Sequence, residues 1–295
     1  MQPRHARPSH FFTVDVEEYF QVRALESVVS RTDWLSRPST VERNVDVLLG
    51  ALGRRQMQGT FFVLGWIAEH RPGVVRAIVD AGHEVASHGY WHEPVTCLDR
   101  KAFREDVRSS KRRLEDVAGT EVIGYRAPNF SIVPGGEWAF DILLEEGYKY
   151  DSSLFPIRRS GYGYPGSPRM PHHIRRAAGS LAEFPLATTT IFRYPIPAAG
   201  GGYLRQFPLG VIQRAFRQAD SRREPATFYI HPWEIDPAQP RLGVSVLNRI
   251  RHYRGLATAL EKLEQLLDEF RFTTIASYLA NDEALAMEAH RAGAA

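Results

Sequence analysis

The feature that most constrains this chain is a rhythm: short apolar runs of strand length alternate with amphipathic segments of helical length, and several runs end in a polar cluster. Residues 10–14 read as a strand that stops at Asp15, Glu17 and Glu18. Residues 40–52 carry a Ser39/Thr40 N-cap, helical apolar spacing at Val41, Val45, Leu48 and Leu49, and Gly53 as a stop. GTFFVL at 59–64 is a compact buried strand, and 72–81 is a helix with Pro72 near its start and Gly82 behind it. A strand at 83–87, a long amphipathic helix at 99–117, a strand at 121–126, a helix at 137–146 and a strand at 149–152 continue the pattern. From 155 to 202 Pro and Gly are dense, which predicts long loops with one strand at 181–186. A helix at 209–220, a strand at 226–230, a helix at 255–270, a last strand at 272–275 and a terminal helix from Ala276 complete the chain.

Strands that alternate with helices predict βαβ units and a parallel sheet. The expected class is α/β, with the parallel sheet closed as a barrel. Such barrels fold as one domain at this length, 295 residues. Residues 8–282 are therefore expected to form one catalytic domain, with 283–295 a tail that frays.

Composition removes several classes of function. The net charge of +3 is small and the arginines are scattered. The longest basic run, Lys111-Arg112-Arg113, reads as the solvated face of a helix, so no nucleic-acid partner is expected. The single cysteine, Cys97, rules out an intrachain disulfide and a cysteine-built zinc site, and is expected to be a buried structural residue. No apolar run of roughly 7–15 residues follows the basic N-terminus, and no window approaches the ~18 apolar residues of a membrane span. A cytoplasmic protein is expected, in which the triplet Asn129-Phe130-Ser131 is not a glycosylation site.

Four motifs carry chemistry, each placed after a predicted strand. Carboxylates at the C-terminal end of a parallel strand lie where barrel enzymes put catalytic groups, so Asp15, Glu17 and Glu18 are candidates, against the alternative of a solvated loop. His88 and His92, four apart in HGYWH, can bind one cation through their imidazoles, and any of the three carboxylates can complete a two-His, one-carboxylate set. Arg126, in GYRAPNF, can brace a carboxylate or make a loop salt bridge. His231, in YIHPWE, can be a general acid or a satisfied structural histidine. Two glycine motifs are decoys. Gly161-Tyr162-Gly163-Tyr164-Pro165-Gly166 matches a dinucleotide fingerprint literally but has no strand before it, and Gly200-Gly201-Gly202-Tyr203 lacks the GK[ST] of a phosphate loop, so a tight loop near substrate is the better reading.

An acidic segment after strand one, then SHGYWH, then YRAPNF, then HPWE, in that order, resembles the polysaccharide deacetylase superfamily (NodB homology, carbohydrate esterase family 4) from about Phe11 to Leu279. DVEEYFQV, GYRAPNFSI, YDSSLFPI and HPWEIDPAQPR resemble the subgroup linked to bacterial exopolysaccharide gene clusters. The resemblance implies a distorted (β/α) barrel of about seven parallel strands and a metal-dependent hydrolase that removes N-acetyl groups from an N-acetylhexosamine-containing glycan. It implies one divalent metal on His88, His92 and an acidic residue, with zinc suited to that set and other divalent ions able to fit. It assigns Asp15 as base, Arg126 as its brace, His231 as acid, and Asp151 as the acid's partner. Tyr125, Pro128, Phe130 and Trp233 are the expected substrate contacts. Where the family has two adjacent aspartates, Val16 takes the second place. Glu17 is then the preferred ligand, because residues two apart on an extended segment project to one side. Glu18 is the alternative if the segment has turned. A cyclic amide or imide hydrolase of the same fold and a non-catalytic glycan-binding module are the competing readings.

Overall fold

The computed structural model describes residues 9–159, 161–191 and 194–281. Its strands are β1 (His10–Val16), β2 (Thr60–Val63), β3 (Glu84–Ser87), β4 (Gly124–Tyr125), β5 (Tyr150–Asp151), β6 (His172–Arg176), β7 (Gly179–Glu183), β8 (Thr188–Ile191), β9 (Tyr194–Pro197), β10 (Thr227–Ile230) and β11 (Phe272–Thr273). The helices are α1 (Val41–Gly53), α2 (Gly65–His70), α3 (Pro72–Asp80), α4 (Arg100–Ala118), α5 (Trp138–Glu145), α6 (Gly202–Gln206), α7 (Leu209–Arg222), α8 (Val246–Tyr253) and α9 (Leu256–Glu269), with short 3-10 turns between. Seven parallel strands run in the order β10-β1-β2-β3-β4-β5-β7. The sheet curls until Leu186, just past β7, bridges Thr227 at the start of β10. This is the distorted (β/α) barrel of about seven parallel strands that the resemblance implies, built on the parallel sheet that the rhythm predicts.

Strand alternation sorts the side chains into two cores. Phe11, Phe62, Ala86, Tyr150 and Phe184 point into the barrel with Ile275, all fully buried. Phe12, Val14, Val16, Phe61 and Val63 point outward into the layer covered by helices. Each large apolar side chain so buried contributes about 1.5–3 kcal/mol, so the inner cluster forms a stable floor on which polar groups can be stacked. α4 shows how helix ends are set locally: the Asp99 side chain accepts Ala102 N–H at 2.8 Å, and Gly119 takes the left-handed C-cap (φ 67°).

Several expectations are corrected. The strand at 121–126 contracts to Gly124–Tyr125. The region 155–202 is not mainly loop: β6 pairs with β7, and β8 with β9, as antiparallel hairpins. α2, α6 and α8 lie outside the helices expected from the sequence. Cys97 is exposed, because the short turn Val95–Cys97 gives its buried position to Val95. Residues 275–281 are helical, and the tail 283–295 lies outside the described residues. Among the described residues no helix is long and apolar enough to cross a membrane.

Candidate active site

At the C-terminal mouth of the barrel, strand ends bring distant residues together. Asp15 and Glu17 come from the end of β1, His88 and His92 from beyond β3, Arg126 from beyond β4 and His231 from beyond β10. All but Arg126 line a cavity of about 240 Å³, together with Phe130 and Trp233.

Arg126 lies behind Asp15, outside the cavity lining. It is fully buried, with its guanidinium 4.1 Å over the ring of Phe62. Burying an unpaired guanidinium costs several kcal/mol, and the surroundings offset it with four hydrogen bonds. Arg126 Nη1 donates to Asp15 Oδ1 and to Thr13 Oγ1, both at 2.7 Å; Nε donates to Ser152 O at 3.0 Å and Nη2 to Ser152 Oγ at 2.8 Å. Asp15 is thereby fixed, with Oδ2 3.9 Å from His231 Nε2.

Glu17, His88 and His92 each offer a ligand atom within 4.8 Å of the other two. β1 stays extended through Val16, and Glu18 is itself extended (ψ 153°), so Glu17 faces the cavity with Asp15 and Glu18 faces away. Glu18 instead accepts hydrogen bonds from Ser39 Oγ and, at 3.0 Å, from Thr40 N–H at the start of α1. Burial pushes its carboxyl pKa up. His88 Nδ1 bonds the Arg126 carbonyl at 2.9 Å, which fixes the tautomer and leaves Nε2 with a lone pair. Burial, then the neighbouring His92, hold the His88 pKa well below its usual value, so it is a neutral imidazole. Glu17 Oε1 accepts the indole N–H of Trp233 at 3.0 Å. Its other oxygen, Oε2, is buried without a hydrogen-bond partner and lies 2.7 Å from His92 Nε2. Burial alone would raise the Glu17 pKa, but His92 and His231 outweigh it and bring it to about 2. One ionised carboxylate and two imidazoles, their ligand atoms within 4.8 Å of one another, form a donor set that fits a divalent cation.

His231 is held from behind. Its Nδ1 lies 2.9 Å from Glu234 Oε2, the Glu234 carboxylate also accepts His231 N–H at 3.1 Å, and Arg205 Nε donates to Glu234 Oε1 at 2.6 Å. Arg205 is locked by the carbonyls of Arg251, His252 and Arg254. Burial alone would lower the His231 pKa. Glu17, 3.6 Å from Nε2, and Glu234 overcome it and raise it to about 9, so the imidazolium persists through neutral pH. The ring stacks on Trp233, which stacks in turn on His252.

The backbone is strained here. Of five non-glycine residues at positive φ among those described, His92, Asn129 and Phe130 belong to this site. Such conformations cost about 1–3 kcal/mol each and cluster at functional sites. Gly200 (φ 122°) is required for a different reason: a Cβ there would lie 2.0 Å from Tyr229 O, where the chain bridges β10 before Tyr203 enters the cavity wall.

The structure reassigns three predicted residues. Asp151 does not partner His231. Tyr150 and Ser152 point into the barrel, so Asp151 points out, where its oxygens accept Ser153 N–H (3.0 Å) and Ser153 Oγ–H (2.6 Å) beside Glu183, its register neighbour on β7. Tyr125 is outward too, packed in the core on Phe103 and Tyr148. Pro128 is buried in the turn Pro128–Phe130 and does not line the cavity. Phe130 and Trp233 do line it, but Trp233 is nearly buried, with its indole N–H on Glu17. Sequence reasoning missed Glu234, Arg205 and Tyr162 and gave Asn129 no role within GYRAPNF, whereas the loop 200–203, expected near substrate, does bring Tyr203 to the cavity wall. For Glu234 a signal existed, since His-Pro-x-Glu is the pattern of a capping box with Pro at N1, and that box is present here.

Two buried carboxyls side by side cannot both ionise cheaply. Burial, then the Asp151 charge, push the Glu183 pKa well above the carboxylate range, and burial raises that of Asp151. A folded-state pKa raised above the unfolded value gives stability that is present at low pH and is lost as pH rises through the folded pKa. Glu183→Gln is therefore expected to flatten the alkaline side of the stability curve. Melting temperatures of both proteins across pH check this, and a difference that stays constant from acid to alkaline pH would refute it.

Comparison with known proteins bears on the same residues. Residues 35–134 match the family model described as polysaccharide deacetylase, and residues 152–280 match one described as a domain of unknown function (DUF3473). A peptidoglycan deacetylase of Helicobacter pylori is 33% identical over 115 residues, 38% of this chain and 38% of that protein. A chitooligosaccharide deacetylase of Sinorhizobium fredii is 30% identical over 100 residues, 32% of this chain and 42% of that protein. The match thus spans about two fifths of the length of these curated relatives. A crystal structure from Mycobacterium smegmatis assigned to the polysaccharide deacetylases superposes with TM-score 0.63 at 21% identity, covering 95% of both chains. An allantoinase superposes at 0.59 and 17% identity, covering 90% of this chain and 85% of that one. At those identities the two structures establish the shared fold.

Proposed function

Because the chain belongs to the polysaccharide deacetylase family through residues 35–134, we propose that it is a metal-dependent hydrolase removing acetyl groups from the N-acetylhexosamine units of a glycan. The observation that carries this reading is the convergence of Asp15, His231 and the Glu17–His88–His92 set on one cavity. The subgroup motifs favour a bacterial exopolysaccharide as the glycan.

Glu17, His88 and His92 would hold a divalent cation, which would supply Lewis acidity for activating water and polarising the acetyl carbonyl, and zinc suits two histidines and one carboxylate. The chain's own residues do the rest. Asp15, braced by Arg126, takes the proton of the attacking water. Arg126, Ala127 and Phe130 N–H already bond within the protein and residue 128 is Pro, so Asn129 N–H is the backbone donor of this loop assigned to the oxyanion. His231, protonated and oriented by Glu234, gives its proton to the sugar nitrogen as the C–N bond breaks, releasing acetate and a free amine. Arg205 keeps Glu234 ionised and in place. Trp233 aims Glu17 by occupying one of its two oxygens.

The test is acetate release from N-acetylglucosamine oligomers against ring opening of cyclic amides, before and after chelation. Acetate release that a chelator stops and Zn²⁺ restores is the expected result. Hydrolysis of cyclic amides alone would instead support the second activity on this fold. Trp233→Phe keeps the stack but removes the N–H on Glu17. It is expected to weaken Zn²⁺ binding roughly 10–100-fold in a competition titration with a chromogenic chelator. Unchanged affinity would sink that role for the indole.

A further inference from the structure

We propose that the exposed face of α8, beside the cavity mouth, seats the protein on an anionic lipid bilayer. α8 runs VLNRIRHY. Val246, Leu247 and Ile250 are 63%, 56% and 45% exposed, and no other helix among the described residues exposes three large apolar side chains. At about 100° per residue the three span an arc of roughly 100°, and Arg249 and Arg251 stand one step to either side of Ile250. The opposite side is anchored: His252 and Tyr253 are buried, and Asn248 Nδ2 donates to Ala24 O at 3.0 Å. α8 is thus held by one face and presents an apolar stripe edged with cations to solvent.

The charge around the stripe is unopposed. Residues 237–260 hold Arg241, Arg249, Arg251 and Arg254 and no Asp, Glu or Lys. All four arginines are exposed, as is Arg23 on the adjoining turn Arg23–Leu25. Among the described residues none of these five forms an ion pair, whereas Arg54, Arg104, Arg108 and Arg217 each pair with a glutamate. A surface apolar at its centre and cationic at its rim fits a partner that is anionic outside and apolar beneath. A bilayer with anionic headgroups offers both in one surface. Two copies joined through α8 would instead set the arginines of one against those of the other, which like charge opposes. The stripe also adjoins the site, since Arg23, Ala24, Arg251 and His252 line the cavity that holds Asp15 and His231. Docking through α8 holds that opening close to the headgroups, which suits a glycan carried on a lipid. This goes beyond the deacetylase reading and does not depend on it.

Flotation of the full chain with vesicles of phosphatidylcholine plus phosphatidylglycerol, and with vesicles of phosphatidylcholine alone, tests this. It reads no catalysis, so its failure and that of the deacetylase reading are distinct. The wild type is expected to float with the mixed vesicles, less so as added salt screens the arginines, and not with phosphatidylcholine alone. Leu247→Ser combined with Ile250→Ser is expected to weaken partition by about ten-fold or more. Arg249→Gln is expected to weaken it roughly five-fold, the weight of one cation near such a surface. All three positions are exposed, so the fold is expected to survive, and melting temperature checks it. If the double variant unfolds, Arg249→Gln decides. No flotation by the wild type, equal flotation with both vesicle types, or partition unchanged by the deciding variant overturns the proposal. A wild type that ignores vesicles but forms a dimer, which the double variant dissolves, makes the occupant a second copy and overturns it too.

Discussion

Asp15→Asn is expected to lower turnover on an N-acetylated glycan by about two to four orders of magnitude, the usual weight of a positioned general base, while the divalent metal stays bound. Asparagine has nearly the same shape, so Oδ1 can still accept from Arg126 Nη1, now 2.7 Å from the aspartate. What it lacks is a basic oxygen in the place of Oδ2, the atom that faces the cavity 3.9 Å from His231. The substitution also leaves the buried Arg126 without its counter-charge. Breaking a buried pair costs up to roughly 3–5 kcal/mol, and the bonds to Thr13 and Ser152 retain part of the compensation. Thermal melting therefore belongs beside the rate measurement. A folded, metal-loaded variant that turns over within ten-fold of wild type would remove Asp15 from the base role; a folded variant without metal would make Asp15 a ligand.

The residues legible in the sequence are those where a strand period meets a strand end. Asp15, His88, Arg126 and His231 each follow an apolar run, and a parallel barrel gathers such positions at one mouth. The preference for Glu17 over Glu18 also followed from strand parity, and β1 stays extended far enough to bear on it. Parity equally accounts for Asp151: Tyr150 and Ser152 take the inward positions of that strand, so Asp151, which the resemblance pairs with His231, bonds Ser153 on the outer side. The Arg205–Glu234 contact was illegible because its partners lie 29 residues apart on elements that meet only through the fold. The hairpins hid for a compositional reason. β6 (HHIRR) has no fully buried face, and β9 (YPIP) contains prolines that only an edge strand tolerates.

The pair Glu17→Gln and Glu18→Gln should separate cleanly. Glutamine at 17 can still accept the Trp233 indole through Oε1, so the local packing survives. The neutral amide is a poor ligand where Oε2 now stands, 2.7 Å from His92 Nε2. Metal affinity is expected to fall by more than the ~10–100-fold that loss of an outer partner costs, and acetate release with it. Glutamine at 18 should bind metal as the wild type does. Its loss is in folding: Glu18 tethers the start of α1 through Ser39 and Thr40, and weakening that cap costs about 1 kcal/mol. Metal content by atomic emission and melting temperature, read on both variants, give opposite signatures. If Glu18→Gln loses metal and Glu17→Gln keeps it, the ligand is Glu18 and β1 must turn sooner on loading. If both keep it, the third donor lies elsewhere around the cavity, with Asp15 the nearest remaining carboxylate on the same face of β1.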